Sequence, residues 1–189
     1  MFNLKKHSRI LAICGGKVTF TEGEKTPIVA VLWRNPYIDK FYIEYTQIDS
    51  PPSNITSLLT EFIDINLFSD HHIKFVIFFN TILAGLSLID INKLYISWKV
   101  PLIFISEKKP ENEKILEIAK TKNYFNEFSS VLRSNPNNWF EFPNTNLFVL
   151  PVGIEKIECI HIIQKTQLIG NIPEPLRISK LVATSLPII

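Results

Sequence analysis

Several familiar devices are missing from this 189-residue chain. It has only two cysteines, Cys14 and Cys159, and four histidines, His7, His71, His72 and His161. Two thiols cannot furnish a metal quartet, and in such a chain they are expected to stay reduced rather than bridged. Apolar runs are short: the stretch Phe75 to Phe79 is interrupted far below the ~20 residues a bilayer span requires. Met1 to Arg9 is polar and basic with no small-residue cleavage site after an apolar segment, so no secretory leader is expected. Charge of one sign is missing as well. The 20 basic and 18 acidic side chains leave a net charge of +2, too little to announce a polyanion or an acidic membrane surface by its field. These absences point to a soluble, cytoplasmic protein with no membrane partner, and they leave its oligomeric state open.

What remains is ample core material. With 46% hydrophobic and 20% charged residues, the chain suits a single well-packed domain over residues 1–189. Three β-rich runs come first, Arg9 to Ile13, Ile28 to Trp33 and Phe41 to Ile48. Turn-rich pieces separate them, and such short connections favour antiparallel neighbours. The period then changes: Ile55, Leu58, Leu59, Phe62 and Ile63 share one helical face after Pro52 and Ser53. "KFVIFF" (Lys74 to Phe79) and "PLIFI" (Pro101 to Ile105) are unbroken apolar runs, the pattern of strands buried on both faces.

Between those strands a helix is expected from a capping-box-like Ser87 and Asp90, with Leu88, Ile91 and Tyr95 on one face. Another follows Pro110 with Ile115, Ile118 and Ala119 inward. After an Asn- and Pro-rich loop come the strand "LFVLPV" and two helices, roughly Glu155 to Lys165 and Pro175 to Ser185. Three antiparallel strands followed by parallel strands alternating with helices is the order of a ribonuclease H-like fold, an α/β mixed sheet with helices packed on it.

The segment "AICGGK" (Ala12 to Lys17) ends the first strand in a cysteine and two glycines. A phosphate cradle would need the spaced glycines and following Ser or Thr of a P-loop, which are missing. A thiol nucleophile needs a base and a lowered pKa, and no spacing pairs Cys14 with a histidine. A small, buried apolar role for Cys14 is the ordinary alternative.

"GNIPEPLRISKLVA" (Gly170 to Ala183) is the most distinctive stretch. It resembles, nearly residue for residue, the C-terminal signature of an archaeal endonuclease V-like family of small conserved proteins, whose better-understood members look like deoxyuridine-directed DNA endonucleases. "SRILAICGG" occupies the place of that family's Arg-Val-Leu-Gly-Ile-Asp-Asp-Gly first strand. "YIDKFYIEYTQIDSPPSNI", "VIFFNTILAGLSLIDI", "VPLIFISEKKPE" and "LFVLPVGIE" align along further family segments. The bland reading of the signature is a proline-stiffened helix start with Glu174 and Arg177 as a charged pair and Ile178, Leu181 and Val182 inward.

The resemblance implies a Mg²⁺ or Mn²⁺ site between carboxylates at the ends of the first and fourth strands, which hard cations require. Here the pattern fails. Cys14 and Gly15 stand where the family has two aspartates, Phe79 where it has the fourth-strand aspartate, and Pro52 at another acidic position. Asp39, Asp49 and Asp90 survive, though turn, strand-end or helix-cap roles are their ordinary explanation, ahead of remnants of a site.

The expectation is therefore a nuclease fold without its catalytic acids, with no metal or other cofactor, acting by binding nucleic acid or a protein partner rather than as an enzyme. Glu174, Arg177, Lys180, Lys108 and Lys109 are the candidates for contacting nucleic acid. An alternative keeps Asp39, Asp49 and Asp90, with Glu174, as a rearranged Mg²⁺ or Mn²⁺ site of a damage-directed endonuclease. A third reading, a structural subunit of a larger complex, looks to exposed aromatics such as Tyr37, Trp139 or Phe140. Trp33, Trp98 and Trp139 could stack on bases but are expected rather to complete the core or a partner interface, and the Asp70-His71-His72 turn is expected to be solvated.

Overall fold

The computed structural model describes residues 9–19, 21, 23–34, 36–63 and 71–189; His7 and Asp70 lie outside them. One seven-stranded sheet organises the described chain, in the order β3-β2-β1-β4-β7-β9-β8. Its strands are β1 (Arg9–Gly15), β2 (Lys25–Arg34), β3 (Tyr37–Gln47), β4 (Ile73–Phe79), β7 (Leu102–Ser106), β8 (Phe140–Glu141) and β9 (Phe148–Val152), while β5 (Ile82–Leu83) and β6 (Ser87–Leu88) form a separate small hairpin. β1, β2 and β3 pair antiparallel, β4 and β7 run parallel to β1, and β9 and β8 return antiparallel. This is the mixed sheet expected from the order of elements.

Both faces of the sheet are covered, which is why β4 and β7 read as unbroken apolar runs. Alternating side chains point to opposite faces of a strand. On one face Leu11, Ile13, Val76 and Phe78 pack beneath α1 (Pro52–Phe62) and α2 (Ile91–Trp98) through Ile55, Leu59, Leu94 and Trp98. Phe78 lies between two rings, 4.9 Å from Phe104 and 6.0 Å from Trp98. On the other face Ile10, Ala12, Phe75 and Ile77 meet Cys159, Ile162 and Ile163 of α5 (Lys156–Thr166) and Leu176 of α6 (Glu174–Ser185). A satellite cluster joins Leu88 to Ala119 of α3 (Asn112–Ala119) and to Phe128 and Leu132 of α4 (Phe125–Ser134).

Several boundaries move relative to the sequence reading. α2 begins at Ile91, one residue after Asp90, whose carboxylate accepts the Lys93 amide at 2.9 Å. Ser87 and Leu88 belong instead to β6, and the inward face is Ile91, Leu94 and Trp98, leaving Tyr95 exposed. α3 starts at Asn112 rather than at Pro110, and Ile118 points outward. In α6 the buried residues are Glu174 and Pro175 at its start, then Leu176, Ser179 and Ala183, while Leu181 is exposed. Each helix is rotated so that the residues nearest the sheet, small ones included, take its inner face. α4 was not among the expected helices, although Phe125, Phe128, Val131 and Leu132 recur at helical spacing; Asn135 at its end ties it to α2, donating to the Ile89 carbonyl and accepting from the Ile91 amide.

Candidate functional site: a cleft at the strand ends

β1 and β4 are parallel neighbours with Ile13 opposite Phe78, so Cys14 and Phe79 emerge side by side at their carboxyl ends. Residues at this end of an open α/β sheet line the crevice where such folds place ligands. An open cleft of about 270 Å³ lies there, bordered by Cys14, Gly15, Phe79, Asn80, Lys180 and Thr184 among others.

The glycines beside Cys14 serve packing. A Cβ on Gly16 would come within 2.8 Å of the Ala183 carbonyl and of the Pro27 ring, so only glycine lets the backbone of α6 press on the end of β1. Gly16 also donates its amide to the Pro27 carbonyl at 2.7 Å. Ser179 fixes the same helix from within the core by donating to the Val29 carbonyl at 2.7 Å.

α6 delivers a cation to the cleft. The Lys180 ammonium sits 4.0 Å from the centroid of the Phe79 ring and 3.2 Å from Oε1 of Glu107, just beyond β7. Cys14 is buried, and burial pushes its thiol up to about 12 despite the opposing pull of the Lys180 charge. At neutral pH the sulfur is therefore protonated; it donates to the Gly15 carbonyl at 3.3 Å. A protonated thiol is a poor nucleophile and a poor ligand.

The donor set does not suit a hard divalent cation. It comprises a neutral thiol, a phenyl ring, the Asn80 amide and an ammonium already paired with Glu107, where several oxygen anions are needed. Among the described residues no three His, Cys, Asp or Glu side chains come together to hold a metal. Pro52 is buried in the first turn of α1.

The four acids of the rearranged-site reading are dispersed by the fold. Asp39 lies inside β3, not in a turn, at an irregularity of the β2–β3 register, and pairs with Arg9 at 3.3 Å. That places it at the opposite end of β1, roughly 16 Å along the strand from Cys14 at ~3.3 Å per residue. Asp90 caps α2. Glu174 is buried and grips Arg177, whose guanidinium hydrogen bonds hold the carboxyl below its usual range.

Asp49 has φ +58°. It accepts the Leu86 amide at 2.7 Å and binds the Lys122 ammonium at 2.5 Å. It borders a wider hollow of about 680 Å³ that shares Val18 and Gly85 with the cleft. The hydroxyl of Tyr124, another wall of that hollow, is pushed up to about 12 by burial and by Asp49. Lys122, Tyr124 and Glu107 were not singled out from sequence. Lys122 is 73 residues from its partner Asp49, and no local pattern marks such a pair.

Of the basic candidates, Lys180 reaches the cleft, Arg177 is committed to Glu174, and Lys108 and Lys109 are exposed on the loop after β7, beyond Glu107. His72 and His161 are exposed, and His71 accepts from Arg9 through its backbone carbonyl. Tyr37 is exposed, but Trp139 and Phe140 are half-buried, Trp139 against the core and Phe140 beneath the Lys156 ammonium.

Sheet order defines the class of scaffold, a ribonuclease H-like mixed sheet. The profile of the endonuclease dU family matches residues 6–187, and the chain belongs to that family. A UPF0215 protein of Archaeoglobus fulgidus is 24% identical over 177 residues, 87% of this chain and 88% of its own length. One from Nanoarchaeum equitans is 22% identical over 182 residues, 95% of this chain and 88% of its own.

Among solved structures, an A. fulgidus protein of unknown function superposes with a TM-score of 0.81 at 22% identity, covering 94% of this chain and 97% of that one. Ciona intestinalis endonuclease V, in complex with a 24-mer DNA containing an inosine followed by a ribo-adenosine, gives 0.58 at 11% identity, covering 94% and 85%. Human endonuclease V gives 0.61 at 10% identity, covering 94% and 83%. Among the described residues no helix is long and apolar enough to cross a membrane.

Proposed function

We propose that this chain is a catalytically retired member of the endonuclease dU family that binds nucleic acid without cutting it. The reading rests on one observation: the Lys180 ammonium packs on Phe79 beside a protonated Cys14 at the paired ends of β1 and β4. A fixed positive charge repels a divalent ion, and the one carboxylate beside it, Glu107, is already paired with that ammonium. The same charge suits a phosphodiester, whose contacts position a strand without reading its sequence. Lys108 and Lys109 add exposed positive charge next to Glu107, interleaved with Glu111 and Glu141, and the DNA held by the Ciona endonuclease V supports nucleic acid as the ligand class.

Two measurements test this. Incubated with Mg²⁺ or Mn²⁺, the protein should leave uracil- and inosine-containing DNA and RNA intact; cutting that disappears in Asp39→Asn or Asp49→Asn would overturn the retired-nuclease reading. Fluorescence anisotropy with labelled single- and double-stranded oligonucleotides should show binding that weakens steeply with salt. Absence of binding at low salt, with a protein co-purifying stoichiometrically, would replace nucleic acid by a protein partner.

A further inference from the structure

β3 is the outermost strand on its side of the sheet and pairs, among the described strands, with β2 alone. It runs for eleven residues, Tyr37 to Gln47, longer than the usual 5–6. Its outer backbone edge therefore presents a row of donors and acceptors to whatever lies beside it. Natural sheets blunt such edges with short strands, bulges and charges. Here the register irregularity lies near the start of the strand, between the partners Leu32 and Trp33, and leaves Lys40 to Gln47 regular.

The regular part carries exposed apolar side chains. Phe41 and Ile43 lie opposite Val31 and Val29, and Ile38 lies opposite Trp33, so all three share one face. They are 46, 45 and 40% exposed, whereas the three residues beneath them on β2 are buried. A lone edge lysine such as Lys40 would ordinarily deter pairing. Glu44 changes its meaning, because the two stand symmetrically about Tyr42. Neither makes a salt bridge among the described residues.

We infer that β3 is a self-complementary dimerisation edge whose occupant is the β3 of a second copy of this chain. Laid antiparallel with Tyr42 on the two-fold axis, each Lys40 faces the other copy's Glu44 and each Phe41 faces the other copy's Ile43. Directly opposed unlike charges and apolar pairs are the arrangements that stabilise antiparallel strands. Registers centred on Lys40 or on Glu44 would set like charges face to face, so the charges select the alignment as well as permit it. A contact of this kind is isologous and closes at two copies, extending both sheets into one.

The test is a charge swap. In analytical ultracentrifugation at tens of micromolar, the full chain should sediment at twice its 21.8 kDa. Lys40→Glu and Glu44→Lys should each weaken dimerisation at least about tenfold, since each sets two like pairs in place of two unlike ones. The double variant should recover the wild-type dimer, because the pairing is restored with its signs exchanged. Circular dichroism confirms the fold of each variant, and both side chains are exposed. Ile43→Lys should give a folded monomer. A wild-type chain that stays monomeric, a dimer indifferent to the single reversals, or a double variant that does not re-associate overturns the inference.

Discussion

The Lys180 ammonium lies over the Phe79 ring, 4.0 Å from its centroid, joining the last helix of the fold to the end of its fourth strand. A second tether to Glu107, on the neighbouring strand end, holds it at the mouth of the cleft. The protein thus keeps a positive charge at the position where the resemblance implies a bound cation, supplied by its own chain.

If that charge meets phosphate, Lys180→Ala should weaken oligonucleotide binding by about three- to tenfold and reduce the salt slope by about one. Lys108→Ala with Lys109→Ala should add a similar loss. Secondary structure by circular dichroism should be unchanged, since all three side chains reach solvent. Unaltered affinity in both variants would place the nucleic acid elsewhere on the surface.

Metal binding should return when the donors do. In Cys14→Asp/Phe79→Asp/Lys180→Ala, two oxygen anions replace sulfur and phenyl at adjoining strand ends and the opposing charge is removed. Calorimetric titration with Mn²⁺ should give no heat with the wild-type chain and saturable heat with the triple variant. Stoichiometric uptake by the wild type would show that its own side chains suffice.

The buried thiols make stability fall on the alkaline side. Cys14 and Cys159 are each pushed from 9.0 up to about 12, Cys159 by burial and Cys14 by burial against the pull of Lys180. Burial therefore favours the neutral form in the fold. The contribution is fully present below pH 9 and is lost as pH rises through the window from 9 to 12. By pH 10 each thiol should have cost about 1 kcal/mol of stability. Cys14→Ala/Cys159→Ala should start with a lower Tm at pH 8 from lost packing, yet lose less between pH 8 and 10; equal slopes in thermal melts would contradict this account.

The contacts of Asp49 predict a structural role for it. It takes the Leu86 amide, pairs with Lys122 and occupies the left-handed region at φ +58°. Asp49→Ala should destabilise by about 2 kcal/mol through the unpaired amide and the strained backbone. Urea unfolding should show this, and Asp49→Asn, which keeps an acceptor and tolerates that backbone, should recover a good part. A change in function with unchanged stability would argue the reverse.

Much of the scaffold was legible because its causes are local. β4 and β7 stood out as unbroken apolar runs, since both faces of a central strand are buried. α1 and α6 followed from prolines at their starts. The two-residue strands β5, β6 and β8 are hidden because they are shorter than any period, whereas α4 does carry a helical period, in Phe125, Phe128, Val131 and Leu132, that the sequence reading did not use. Inner faces were misread where small residues took them, as Ser179 and Ala183 do in α6, because apolar character alone does not reveal how closely a backbone must approach.

The residue types at the strand ends were set by the sequence alone: Cys14 and Phe79 carry no oxygen anion in any conformation, and this needed no coordinates to be seen. Tertiary structure decided what fills the gap and what became of the remaining acids. It brought Lys180 onto Phe79, gave Lys122 to Asp49 and Arg9 to Asp39, and left β3 uncovered at an edge. Side-chain chemistry is written residue by residue, whereas the meeting of distant charges is decided by how the sheet and its helices close over one another.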